Sequence, residues 1–393
     1  MAKSSSSIRI RVVIGSLDVG GTETHLVRLL PDLAAEGFII SVLTLTHKGH
    51  LADDLECENI TVYAPPRIIR ILQRTPLLSR LTAPIGTLVY LSYIFMRKSA
   101  DISCFYLPSS YYLGMLAHMV AGDKSRTIMF RRSLNDYQRG RFLIKLYERW
   151  LHEKVDMIVG NSKAVVEQLI TAENVVPDKL RLIYNGVDLS DLHSNGNKHV
   201  SVREELQIDD NILVMTIVAN LIPYKGHMDL ILALSSFDKN QLIPWKLLVV
   251  GDGLEARSDL VSLVNSHNLE EHIYWLGLRR DISKIYSETD IGLLVSHQES
   301  FSNAIIEGMA AGVPMIVTNV GGNKEAVVHE QCGLVIEPHN PEQIASAIAR
   351  LSNDKVLRES YGKNARARVH EKFSSAQTLA EYLGLFGSDN NII

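Results

Sequence analysis

The sequence has 393 residues, 46% hydrophobic and 21% charged, which allows two or three ordinary domains and excludes a disordered, collagen-like or disulfide-stapled chain. Its net charge is only −4, but the residues up to Asn185 carry 23 Lys and Arg against 17 Asp and Glu, and the remainder carries 17 against 27. The negative total, with no basic-aromatic pattern, argues against a nucleic-acid binder, whereas the basic first half suits an anionic membrane surface or a phosphorylated acceptor.

In chain order, a short polar lead precedes "IRIRVVIGSL", which reads as a buried strand and lacks the apolar stretch of a secretory signal. "TETHLVRLLPDLAAEG" follows as an amphipathic helix closed by Gly37, then "FIISVLTL" as a second strand. The segment Arg67 to Lys98 holds six basic residues and no acid, and its 16 residues from Leu81 to Met96 are uncharged and include Pro84. A membrane-spanning helix needs about 20 apolar residues, so a core helix is the first reading and membrane-surface attachment the second. "ADISCFYL", "TIMFRR", "VDMIVGNS" and "LRLIYNG" continue the series of strands.

The turn signal Asn185-Gly186 and the Ser, Asn, Gly and Asp after it set a domain boundary at about residue 186. The style then repeats: "ILVMTIVANL", "WKLLVVGDG", "IYWLGLR", "DIGLLVS", "VPMIVTN" and "CGLVIEP" read as strands between helical patterns. Such alternation argues for α/β architecture, with parallel sheets covered on both faces, and so many strands require two sheets. The expected division is 1–185, 186–373 and a closing helix and tail, 374–393. Three scattered cysteines, Cys57, Cys104 and Cys332, form no metal or disulfide framework and fit a reduced, cytoplasmic setting.

The chemistry concentrates in "HQESFSNAIIEGMAAGVPMIVTNVGGNKEAV", His297 to Val327. A strand ends at about Ser296, a loop follows, and a helix is predicted from Asn303 to Ala311, with Ser302 as N-cap and Gly312 and Pro314 as stop signals. Ligands of α/β sheets bind at such strand ends, and the amides and dipole of a helix start suit an anion such as diphosphate. Glu299 precedes that helix, and Glu307 lies on the same helix face as Asn303. The two acids can therefore flank one ligand, the deeper one holding ribose hydroxyls. Gly20 and Gly21, between the first strand and helix, would let backbone approach a phosphate, although a Gly-Gly pair alone is a weak signal. Lys225 in "ANLIPYKGH" is placed to act as a point charge on a phosphate, although a lone lysine there is more often a surface residue.

Together these features resemble glycosyltransferase family 4, the retaining nucleotide-sugar transferases of GT-B fold. The resemblance spans nearly the whole chain. Its most specific part is the E-x7-E pair Glu299 and Glu307, supported in order by "VGGTETHLVRLL", "VGNSKAV", "IYNGVD", "KGH", "VVGDG" and "WLGLRRDISKIYSETDIGLLVS". It implies two Rossmann-like, doubly wound domains facing a deep cleft, the first taking the acceptor and the second the donor, with the last helix packing back on the first. Glu299 would face the transferred sugar and Glu307 hold the ribose. The amides of Phe301, Ser302 and Asn303 would meet the diphosphate, and Lys225 would neutralise it with Gly21 approaching. Leu278 would lie near the base. The implied partners are a UDP- or GDP-linked sugar and a glycan or polyprenyl-diphosphate-linked acceptor of surface polysaccharide synthesis, at a cytoplasmic site or on the inner face of an anionic membrane.

The sequence departs from the family in places. Where an arginine usually precedes the lysine by five residues stands Asn220, and Arg279 or Arg280 is the candidate to compensate. The place of the usual acceptor-side histidine reads "MFRRSLNDY", which puts Arg131 and Arg132 there, while His118 reads as a helix histidine. No D-x-D occurs, so neither a catalytic metal nor another cofactor is expected. Two other readings remain: a nucleotide-sugar epimerase of the same fold, and a binder without turnover, which Asn220 makes thinkable.

Overall fold

The structure, a computed structural model, describes residues 7–74, 79–189, 201–237 and 243–387. The polar lead and much of the turn-rich stretch after Gly186 lie outside them. The chain divides into two compact units, one of residues 1–184 with 378–393 and one of residues 185–377.

Unit 1 is built from β1 (Arg9–Ile14), α1 (Gly21–Ala35), β2 (Ile39–Thr44), α2 (Ala52–Cys57), β3 (Thr61–Tyr63), α3 (Arg67–Arg74), α4 (Ser79–Arg97), β4 (Ile102–Tyr106), α5 (Pro108–Ala121), β5 (Arg126–Arg131), α6 (Phe142–Lys154), β6 (Met157–Gly160), α7 (Lys163–Thr171) and β7 (Leu180–Leu182). Its strands pair in parallel in the order β3-β2-β1-β4-β5-β6-β7. Both faces are covered, because alternate residues of β1 enter opposite cores: Ile10, Val12 and Ile14 one, Val13 the other. Arg11 is buried on the Val13 side, over the Phe95 ring, and satisfied by Asp123 at 2.6 Å, Ser103 and the Lys98 carbonyl. That pairing lets a charged residue sit inside a buried strand.

In unit 2 the elements are α8 (Val202–Leu206), β8 (Leu213–Val218), α9 (His227–Ser235), β9 (Trp245–Val250), α10 (Leu254–Ser266), β10 (Ile273–Gly277), α11 (Ile282–Ser287), β11 (Ile291–Leu294), α12 (Asn303–Ala310), β12 (Met315–Thr318), α13 (Asn323–Ala326), β13 (Gly333–Ile336), α14 (Pro341–Asn353) and α15 (Lys355–Lys372). The parallel order is β10-β9-β8-β11-β12-β13. Each sheet reverses direction of growth once, at β1/β4 and at β8/β11. In α/β sheets the strand ends at that switch form the ligand crevice. The last helix, α16 (Ser375–Gly387), closes unit 1, where Tyr382, Leu385 and Phe386 join the core of β1, β2 and β4.

Segment 67–98 resolves into two helices. On α4, Tyr90, Leu91, Ile94 and Phe95 are buried, while Ile85, Val89, Tyr93 and Met96 face solvent. Among the described residues no helix is long and apolar enough to cross a membrane.

Candidate active site

The loops after β8 and β11 are neighbours because their strands pair. In the first, the turn Pro223–Lys225 leads through Gly226 into α9. Gly226 has φ +74°, and a Cβ there would lie 2.0 Å from the Val295 carbonyl oxygen, so only glycine lets the loops touch. The His297 amide then donates to the Tyr224 carbonyl at 2.7 Å. This contact brings the Lys225 Nζ to Glu299 Oε1 at 2.5 Å, and Ser296 Oγ donates to the same oxygen at 3.0 Å. Both charged side chains are largely buried, which strengthens their attraction relative to water.

The Gly-Gly turn after β12 completes the loop's support. Gly321 has φ +49°, and a Cβ on it would fall 1.7 Å from the Glu299 carbonyl oxygen; the Gly322 amide donates to Ser300 at 2.8 Å. The turn is a backbone brace for the glutamate loop, a purpose its sequence did not disclose.

Helix α12 begins where expected. Ser302 holds the N-cap position in extended backbone, but its side chain makes no capping bond. Phe301 is buried, its ring 5.4 Å from that of Phe373, so it offers the site backbone only. Asn303 accepts from the buried Asn185 at 2.7 Å through its side chain. Glu307 stands one turn further along α12, half-buried. Asn220 is exposed at the end of β8 and Leu278 at the end of β10. His227, at the first position of α9, is buried with neither ring nitrogen partnered among the described residues, and burial lowers its pKa to about 4. It was missed by sequence reading, since "KGH" says nothing about burial.

Two expectations are corrected. Arg279 does not compensate for Asn220: its guanidinium pairs with Asp281 and with Glu205, each through two bonds of 2.7–3.0 Å. Arg131 is no acceptor-side residue. Its side chain is 1% exposed, bonded to Glu148 and, at 2.8 Å, to Glu173. Tyr112, Tyr137 and Gln138 also donate to Glu148, and His152 reaches Glu173 at 2.9 Å, so the arginine is the centre of a satisfied internal network. Arg132, the next residue, is half-buried beyond the end of β5, hydrogen-bonded to Tyr382 and within electrostatic reach of Glu23. Gly20 is the N-cap of α1 and the exposed Gly21 its first residue, just beyond β1.

Comparison with known proteins decides the family. The profile described as Glycosyltransferase Family 4 matches residues 19–191, and the one described as Glycosyl transferases group 1 matches residues 201–368. The chain belongs to glycosyltransferase family 4. This family 4 chain is 26% identical to the N-acetylgalactosamine-N,N'-diacetylbacillosaminyl-diphospho-undecaprenol 4-alpha-N-acetylgalactosaminyltransferase of Campylobacter jejuni, over 95% of the chain and 99% of the relative. It is 33% identical to the UDP-Gal:alpha-D-GlcNAc-diphosphoundecaprenol alpha-1,3-galactosyltransferase of Escherichia coli, over 54% of the chain and only about half, 55%, of that enzyme's length. The crystal structure of Anabaena HepE with UDP and glucose is similar in fold, with a TM-score of 0.83 at 20% identity over 97% of this chain and 100% of that one. The two parallel-sheet units are thus the Rossmann-like domains of a GT-B glycosyltransferase.

Proposed function

We propose that this glycosyltransferase moves a hexose or N-acetylhexosamine from a nucleoside diphosphate sugar, with retention at the anomeric carbon, to a polyprenyl-diphosphate-linked glycan during surface polysaccharide synthesis. The observation that carries the reading is the Lys225–Glu299 pair at the β8/β11 switch point. Breaking the bond from anomeric carbon to diphosphate sends its electron pair to the phosphate oxygen and leaves positive charge on the sugar. Lys225 and the amides of Phe301, Ser302 and Asn303 stabilise the departing anion, usually the largest catalytic contribution. Glu299 faces the cationic sugar. The acceptor hydroxyl then bonds to the anomeric carbon and its proton passes to the departing phosphate oxygen. Glu307 holds the ribose, Leu278 and Asn220 border the nucleotide, and Gly20 and Gly21 form a close-approach backbone in unit 1. Arg132 serves the acceptor. None of these steps calls for a metal or other cofactor.

The acceptor half of the reading is supported by the names of the Campylobacter and Escherichia relatives, both undecaprenyl-diphosphate enzymes. It is also supported by an inverted helix. On α6 the charged Glu148 and His152 face inward, while Phe142 and Leu143, 70% and 78% exposed, and Leu146 and Trp150 face outward. Arg139, Arg141 and Lys145 flank them. Apolar side chains among basic ones suit the interface of an anionic membrane, as do Ile85, Val89, Tyr93 and Met96 of α4.

The deciding experiment is a thermal-shift panel of UDP, GDP, ADP and their sugars with EDTA present, followed by transfer assays with the stabilising donor and a short polyprenyl-diphosphate glycan. Stabilisation by one nucleotide and an axial-to-axial product by NMR support the proposal. No shift with any nucleotide removes it in favour of a degenerate site. Flotation with anionic liposomes tests the membrane arm, and protein that stays soluble at low salt counts against it.

A further inference from the structure

Among the described residues, two groups of histidine and carboxylate side chains bring three ligand atoms within 4.8 Å of one another: Glu148, His152 and Glu173 in unit 1, and Asp229, His297 and His339 in unit 2. The first is already filled, because the guanidinium of Arg131 bonds to both of its carboxylates. A metal ion there would have to displace a buried arginine. Among the described residues no lysine or arginine is bonded to the second. Its Asp229 Oδ2 and His297 Nε2 are 2.8 Å apart, and the rings of His297 and His339 lie with centroids 3.6 Å apart.

We propose that Asp229, His297 and His339 form a binding site for a zinc ion, separate from any group the sugar transfer uses. Two imidazoles and a carboxylate are a borderline ligand set of the kind zinc takes, with the fourth position left to water. The three come from segments that are each pinned. Asp229 is in the first turn of α9. His297 is fixed through its amide on Tyr224. His339 precedes the N-cap Asn340, whose side chain accepts from the Gln343 amide, and Pro341 at the start of α14.

His339 also has φ +57°, a left-handed conformation that costs a side chain energy and that glycine or asparagine occupies more cheaply. Strain of that kind is expected where a side chain must be presented at a fixed place. Zinc ligands in a tetrahedral site are roughly 3.4 Å apart. Asp229 and His297 are already near that separation, and the exposed ring of His339 has only to turn about its side-chain bonds to join them.

Zinc here would clamp α9, the loop that carries Glu299, and the connection from β13 to α14. It would stabilise unit 2 by an amount that grows with the logarithm of its affinity. Because the donor chemistry needs no metal, removal of zinc should lower thermal stability and leave nucleotide binding in place.

The test uses the full chain stripped with chelator, dialysed against zinc and assayed for bound metal, and titrated with Co2+ to read the visible bands of a tetrahedral site. One zinc per chain, an upward thermal shift and tetrahedral Co2+ bands are expected. His339→Gly removes a ligand where glycine suits the backbone, so it should fold at least as well while weakening zinc affinity at least tenfold. Asp229→Asn should also weaken it. No bound zinc, or undiminished binding in His339→Gly, overturns the proposal. The nucleotide panel, run on the stripped protein, reports separately on the transferase reading.

Discussion

Lys225 and Glu299 are bonded to each other, 2.5 Å from nitrogen to oxygen, although 74 residues separate them. The lysine and the glutamate assigned to opposite charges of one reaction are thus a single coupled unit. Glu299→Gln keeps the shape and removes the charge. It should lower kcat about 10²-fold or more and leave nucleotide affinity unchanged or tighter, since Lys225 is released to the diphosphate. Lys225→Ala should lower both. The double variant should lose less than the sum of the two, because one interaction is removed twice. Steady-state kinetics and nucleotide titrations on the three variants check this, and near-normal transfer by Glu299→Gln sinks the assignment.

Gly321→Ala carries a prediction about support rather than chemistry. The added methyl would meet the Glu299 carbonyl in a left-handed backbone. The expected cost is about 1–3 kcal/mol of stability, with a fall in kcat from the displaced loop. Urea unfolding and kinetics on the same preparation measure both, and Gly384→Ala in α16, where the structure has open space, is the control.

Arg131 and Arg132 are adjacent but should behave oppositely. Arg131→Met strands two buried carboxylates and should destabilise unit 1 by about 3–5 kcal/mol. Arg132→Ala loses its bond to Tyr382 and should cost only about 1–2 kcal/mol, bind nucleotide normally and raise the acceptor KM. Denaturation curves beside acceptor kinetics separate them, and a stable, acceptor-defective Arg131→Met would restore the rejected role.

His227 makes stability depend on pH. Its folded pKa is about 4, lowered by burial and then by Lys225, against about 6.5 in an unfolded chain. Above pH 6.5 the ring is neutral in both states. As pH falls from 6.5 to 4 the unfolded state takes up a proton that the folded state refuses, so stability drops, by roughly 3 kcal/mol in all. His25 in unit 1 is shifted the same way by its burial, then by Arg132 and Arg28. His227→Leu should flatten the profile between pH 7 and 4, and an unchanged slope of unfolding midpoint against pH would refute the assignment.

The sequence disclosed the two parallel sheets, the strand leading to Ser296 and the start of α12, because each has a local periodicity or a turn signal. What it hid was contact. "FLIKLYERWLHEK" looks like any amphipathic helix, and nothing local says that Glu148 turns inward to Arg131 while Phe142 and Leu143 turn out. Arg279 looks available until Glu205, remote in sequence, appears beside it. Gly321 looks like a turn until the carbonyl of Glu299 is found against it. Each of these depends on a partner brought near only by folding, which spacing along one strand or helix cannot register.

The return of α16 also sets an order of assembly. Tyr382, Leu385 and Phe386 fill a core whose other buried walls come from residues between Ile10 and Ile183. On the ribosome, unit 2 is therefore complete while unit 1 still lacks a piece of its interior. The nascent chain has to keep a Rossmann sheet with an open apolar side until the last helix leaves the exit tunnel. A truncation that removes α16 would then injure unit 1, not unit 2, which it follows in the chain.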